Sequence, residues 1–247
     1  MGANADPDGR ARRREHPRLP RRQATSRSGA LILTNEASAL PTLLSIASER
    51  ETLQAELYGD IPADRVAILV HGQNWDASGW RNVAPRFAAR GVAALALNLR
   101  GYAGSSGKTN RYRPNAPWTP VTDLRAAKAA LRGRGAAQVA LVGASMGGSA
   151  VLASSFEHDV ECVVAISAPV VAVPEELAKK IGGRKLFVCA DRDSLRAAPN
   201  VLRCFGDATD PKTLILFGGG QHSRAMFSAP YGDEALGAIV EFVCLRA

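Results

Sequence analysis

Val139-Ala140-Leu141-Val142-Gly143-Ala144-Ser145-Met146-Gly147-Gly148 decides the fold of this chain. Its first four residues are an apolar run that fits a short buried strand. From Ser149 to Glu157 the spacing turns helical. Between strand and helix the chain must reverse sharply with Ser145 at the apex. Such a turn strains the backbone and crowds the flanking positions. Gly143 and Gly147 remove the Cβ atoms that would clash there. A helix starting behind Ser145 aims its first amides at the serine, so the Met146 N–H can receive a developing oxyanion. The pattern G-x-S-x-G alone says little: with glycine at about 7% of residues and serine similar, chance gives about one match in ten chains of this length. The context has to carry the reading.

Upstream, Thr42 to Ala47 and Glu51 to Tyr58 read as two strands joined by a short polar turn, an antiparallel hairpin at a sheet edge. Arg65 to Val70 and Val92 to Leu99 are compact strand-like runs. Trp80 to Arg90 has helical spacing and stops at Gly91, a residue suited to a helix C-cap. Val121 to Arg134 sets Leu124, Ala127 and Leu131 on one face and reads as a helix. Asp123 and Arg125 near its start read as surface charges. Downstream, Cys162 to Ile166, Leu186 to Cys189 and Thr213 to Phe217 read as strands. Glu175 to Lys180, Leu195 to Phe205 (interrupted near Pro199) and Glu234 to Leu245 read as helices. This alternation implies an α/β fold with a mostly parallel central sheet and helices on both faces. No internal repeat is visible, and residues 37–247 read as one domain.

In such sheets, sites lie beyond the carboxyl ends of the strands. The residues found there are His71-Gly72-Gln73-Asn74-Trp75, Arg100-Gly101-Tyr102-Ala103-Gly104-Ser105, the Ser145 turn, Ala190-Asp191-Arg192-Asp193 and Gly218-Gly219-Gly220-Gln221-His222. A serine, an acid and a histidine thus follow three strands in that order. Of the four histidines, His16 lies far upstream, His71 suits a backbone-bonding role and His158 sits between two acids on a solvated helix end. His222 follows a triple glycine, and a loop presenting an imidazole over the serine is what general-base work needs. Asp191 and Asp193 compete for the acid, with Glu175 and Glu176 as outside candidates. Trp75, Tyr102, Met146 and Pro169 are candidate pocket walls or plain packing residues. The loop from Tyr102 to Val121 is long for a connector. It either covers the site or packs Trp118 onto the next helix.

With these residues in view, the chain from Thr42 to Leu245 resembles the α/β-hydrolase superfamily. It looks most like small, lid-poor serine esterases of the dienelactone-hydrolase-like and acyl-peptidase-like branch. Dienelactone hydrolases themselves use a cysteine nucleophile where this chain has Ser145. The resemblance implies that His71-Gly72 opens the oxyanion loop and that the Gln73 N–H is its second donor. Arg100 to Ser105 looks like the family's R-G-x-G-x-S loop. The family's acid falls about three residues past a small residue ending its strand, which selects Asp193 and leaves Asp191 as the rival. The implied activity is cleavage of a carboxylic ester or thioester of a small substrate through an acyl-enzyme on Ser145. Small-peptide or lactone hydrolysis by the same triad is the alternative, as is a non-catalytic binding protein of the fold. Relatives carry a lid where this chain has only the segment from Pro169 to Lys185. The site is therefore expected to be open, with weak selection by acyl length.

Composition sets the outer bounds. Apolar residues form 46% of 247, enough for a sizeable core, but no run reaches the roughly 20 residues a bilayer span needs. Membrane insertion is therefore not expected. The net charge of +8 is uneven: residues 1–30 hold eight Arg against two Asp and one Glu. Such a basic segment can attach to nucleic acid. Its Pro, Arg and Ser content reads instead as a solvated, disordered arm over residues 1–36, with no nucleic-acid partner expected. Arg21-Arg22 lacks the clean apolar segment of an export signal, and the chain reads as cytoplasmic. Cys162, Cys189, Cys204 and Cys244 are scattered without ligand spacing, so no metal and no cofactor are expected. Oligomeric state is not legible.

Overall fold

Apolar runs and helical stretches alternate into an eight-stranded sheet with helices on both faces. The structure is a computed structural model and describes residues 40–245. The arm expected over residues 1–36 lies outside the described residues. The strands are β1 (Thr42–Ser48), β2 (Glu51–Tyr58), β3 (Ala63–Val70), β4 (Ala93–Leu97), β5 (Ala136–Ala144), β6 (Cys162–Ile166), β7 (Arg184–Ala190) and β8 (Lys212–Phe217). Their order is β1-β2-β4-β3-β5-β6-β7-β8. β1 and β2 form the expected antiparallel hairpin, β2 runs antiparallel to β4, and every later pairing is parallel.

The helices are α1 (Ala84–Ala88), α2 (Thr119–Gly133), α3 (Met146–Ser154), α4 (Glu175–Ala178), α5 (Ala198–Asp207) and α6 (Gly232–Cys244). In β3, Val66, Ile68 and Val70 pack into one layer and Ala67 and Leu69 into the other. With both faces covered, a central parallel strand reads as a continuous apolar run rather than an alternating one. The first layer takes Leu124, Ala127 and Leu131 of α2, Val151 of α3 and Val201 of α5. The second takes Phe87 of α1 and Leu236, Ile239 and Val243 of α6.

Three sequence expectations change. The single helix expected over Trp80 to Arg90 is a short 3₁₀ turn, Ala77–Trp80, followed by the five-residue α1. Pro85 sits in the first turn of α1, where its missing N–H costs nothing; further in it would break the ladder. So short a helix is marginal alone, and the fully buried Trp80 and Phe87 on either side of its start hold it. Pro199 does not interrupt a helix either; it lies in the first turn of α5, which begins at Ala198. Asp123 is no surface charge. It is fully buried and accepts the Arg100 backbone N–H at 2.9 Å, the Ser48 hydroxyl at 2.9 Å and the Arg100 guanidinium at 2.7 Å. Arg125 does stay on the surface, paired with Glu157.

Two further points are settled among the described residues. The long loop before α2 packs Trp118 into the core, its Nε1–H donating to the Asn110 carbonyl at 3.2 Å. Among the described residues, the only helix between β6 and β7 is the four-residue α4, and no lid domain is built there.

Candidate active site

Ser145 is held by backbone, not by its side chain. Its φ of 54° and ψ of −117° lie outside the regions L-residues favour. The neighbours explain how the turn is tolerated. A Cβ on Gly143 would overlap the Gly147 carbonyl, and one on Gly147 would overlap the Val70 carbonyl. The chain therefore turns directly from β5 into α3, as the two glycines predict. The Ser145 N–H donates to the Ile166 carbonyl at 2.8 Å, and its carbonyl accepts from Ser149 at 3.1 Å.

Two loops meet above it. The segment after β7 and the segment after β8 are zipped together: Arg192 N–H donates to the Gly219 carbonyl at 3.0 Å, and Ser194 N–H to the Gly220 carbonyl at 2.9 Å. This brings His222 between the serine and an acid. His222 Nε2 lies 2.8 Å from Ser145 Oγ, and Nδ1 lies 2.9 Å from both oxygens of Asp193. With Nδ1–H donating to the carboxylate, Nε2 is left as the acceptor for the serine proton. The Asp193 side chain is fully buried and that of His222 is 13% exposed.

Asp193 is held on several sides. Its Oδ1 accepts from the Leu195 N–H at 2.9 Å and the Ala197 N–H at 3.3 Å, and Cys189 Sγ lies 3.8 Å from its Oδ2. Burial pushes the carboxyl pKa up. The hydrogen bond and charge of His222, with the two amides, outweigh this and hold it below the ordinary carboxylate range. Asp191 turns elsewhere: it is exposed and accepts from the Gly219 N–H at 2.8 Å, which lowers its pKa. The spacing selected Asp193 with Asp191 as its rival, and of the two only Asp193 touches His222. Glu175 and Glu176 stand exposed on α4, away from His222.

The loop after β3 forms the other wall. His71 is fully buried; Nδ1 donates to the Gly72 carbonyl at 2.8 Å and Nε2 accepts the Leu99 N–H at 3.2 Å. Burial lowers its pKa, so it stays neutral and fixes the backbone on which Gln73 sits. Tyr102 packs on the His71 ring at 4.4 Å. Neither the Gln73 nor the Met146 N–H has an acceptor among the described residues. Trp75 comes close to the serine: a Cβ on Gly72 would meet Trp75 Nε1 at 2.5 Å and Ser145 Cβ at 3.2 Å. Pro169 is half-buried in the loop after β6, where the Val170 N–H donates to Ser149 Oγ at 3.0 Å.

The sequence reading missed two supports. One is Cys189 beneath the acid, buried, with its thiol pKa pushed up to about 12. The other is Arg224, whose guanidinium lies over the Trp75 ring at 5.5 Å. Its place two residues beyond His222 was the available signal. Cys162, Cys189 and Cys204 are buried free thiols, and among the described residues no group of three or more His, Cys, Asp or Glu side chains could hold a metal ion.

A family model described as "Alpha/beta hydrolase family" matches residues 67–241. No curated protein matches by sequence. Among solved structures, the chain is similar to an esterase of Pyrococcus furiosus, at 17% identity and a TM-score of 0.69, over 83% of this chain and 92% of that one. It is similar to Est1E from Butyrivibrio proteoclasticus with ferulic acid bound, at 15% identity and a TM-score of 0.67, over 81% and 97%. It is also similar to a monoacylglycerol lipase of Paleococcus ferrophilus, at 17% identity and a TM-score of 0.64, over 78% and 98%. At these identities the likeness to solved structures is one of fold. The family match spans more than half of the chain and the sheet order carries it, so the protein belongs to the α/β-hydrolase family.

Proposed function

We propose that the protein is a serine hydrolase that cleaves the carboxylic ester or thioester of a small substrate, with Ser145 as nucleophile, His222 as base and Asp193 as acid. The observation that carries this reading is the unbroken hydrogen-bond chain from Ser145 Oγ through His222 to Asp193. The esterase and lipase neighbours support ester bonds over other acyl targets. Ser145 Oγ attacks the carbonyl carbon as its proton passes to His222 Nε2. The oxyanion is received by the Gln73 and Met146 N–H groups. Collapse expels the alkoxide or thiolate, which takes the proton from His222. Water then attacks the acyl-enzyme, giving one proton to His222, and the serine leaves with it.

Asp193 holds the His222 tautomer and stabilises the imidazolium. Trp75, Tyr102 and Pro169 are the pocket walls of this reading. The catalytic domain is residues 37–247, and the free cysteines fit a reducing, cytoplasmic setting. No helix among the described residues is long and apolar enough to cross a membrane. The test is turnover of p-nitrophenyl esters of graded acyl length. The wild-type chain hydrolyses the short esters, and Ser145→Ala loses at least about 10³-fold in kcat. Full activity in Ser145→Ala would overturn the assignment.

A further inference from the structure

The three tryptophans use their indole N–H groups differently. Trp118 donates to the Asn110 carbonyl, and the Trp80 N–H is buried in the core without a partner. The Trp75 N–H also lacks an acceptor among the described residues, yet its side chain is only half-buried and lies at the site. Trp75 Nε1 and Ser145 Cβ flank one point above Gly72, the residue before Gln73. An unpaired donor beside a nucleophile has an evident use.

The indole is held in that position. Its far edge lies against Gly79, where any side chain would overlap the ring. Trp80 packs against it at 5.2 Å and the His71 ring meets it edge-on at 6.2 Å. The Arg224 guanidinium lies over the ring, and Arg224 has no carboxylate partner among the described residues. A cation over the indole face draws on its π density and so makes the N–H a better donor. Glycine at both 72 and 79 leaves the room this arrangement needs.

We propose that Trp75 Nε1–H is a third donor of the site, hydrogen-bonding an oxygen of the reacting ester group as negative charge builds on it, beside the Gln73 and Met146 amides. The indole keeps its proton throughout. This inference rests on the serine-hydrolase reading above.

The test replaces Trp75 with β-(3-benzothienyl)alanine, which keeps the ring shape and puts sulfur where the N–H was. Steady-state kinetics are measured on p-nitrophenyl acetate and butyrate, with Tm alongside. The expected result is a fall in kcat of about tenfold or more, KM within about twofold, and an unchanged Tm. Trp75→Phe falls at least as far. Arg224→Gln keeps the indole and loses about two- to fivefold. A benzothienyl variant with wild-type kcat overturns the proposal, as does a loss that appears in KM and Tm instead of kcat. A wild-type chain that turns over no ester sinks the hydrolase reading itself, and this proposal with it.

Discussion

The strands of this sheet end in two contrasting environments. At their amino ends, Arg65, Glu161 and Arg184 form a closed network. Arg65 Nη2 donates to Glu161 at 2.6 Å, and Arg184 Nη2 reaches the same carboxylate at 3.4 Å. Arg65 also donates to the carbonyls of Val243 and Cys244, and Arg184 to those of Phe242 and Leu245. These carbonyls end α6 and have no partner within the helix. At the carboxyl ends three serines take a left-handed backbone. Ser145, Ser167 and Ser223 have φ values of 54°, 45° and 58°. Non-glycine residues in that region cost on the order of 1–3 kcal/mol each and persist only where the surroundings over-determine them. The paired amino end holds the frame, and the carboxyl end holds the proposed site.

The contrast can be broken at either end. Asp193→Asn acts at the carboxyl end and should have the largest effect: about a 10⁴-fold loss in kcat, because the amide favours the wrong His222 tautomer. Single-turnover kinetics at neutral pH would bear this out. The same residue sets a pH dependence. Its folded pKa lies below the ordinary value, so its stabilisation is present at neutral pH and above the ordinary carboxylate range. That stabilisation is lost as pH falls through the lowered value. The acid limb of the Tm–pH curve should therefore flatten in Asp193→Asn.

Glu161→Ala acts at the amino end and leaves two guanidinium groups without their carboxylate. It should cost about 3 kcal/mol and lower Tm by about 6–12 °C, with kcat/KM unchanged. A loss of activity at constant Tm would erase the contrast between the two ends. Asp191→Asn is the smallest change. Asp191 is exposed and meets the Gly219 amide through Oδ1, which the asparagine oxygen can replace. Its kcat/KM should stay within about threefold. A loss comparable to that of Asp193→Asn would make Asp191 the acid.

The fold was legible because local and global signals agreed. Val92 to Leu99 and Val139 to Val142 read as buried strands, and the strand before and the helix after gave Gly143 and Gly147 their meaning as a tight turn. The serine and histidine were legible for the same reason, each following a strand and marked by glycine. What was misread or left open shares a cause. Asp123 reads as a surface charge along its helix because its partner Arg100 is 23 residues upstream, and only the sheet order brings them together. Asp191 stays a rival to Asp193 until the loops after β7 and β8 zip together at Gly219 and Gly220. Trp75 reads as one more aromatic, since nothing local shows that Gly72 and Gly79 make room for its ring. Long-range pairing, not local propensity, decides each of these.

The proposed chemistry needs Ser145 to be an activated nucleophile. Labelling the folded full-length chain with a fluorophosphonate probe, then mapping the adduct by mass spectrometry, tests this most directly. The account predicts one adduct, on Ser145, absent in His222→Ala. An adduct on another residue, or hydrolysis of ester by a chain whose Ser145 stays unlabelled, would contradict it.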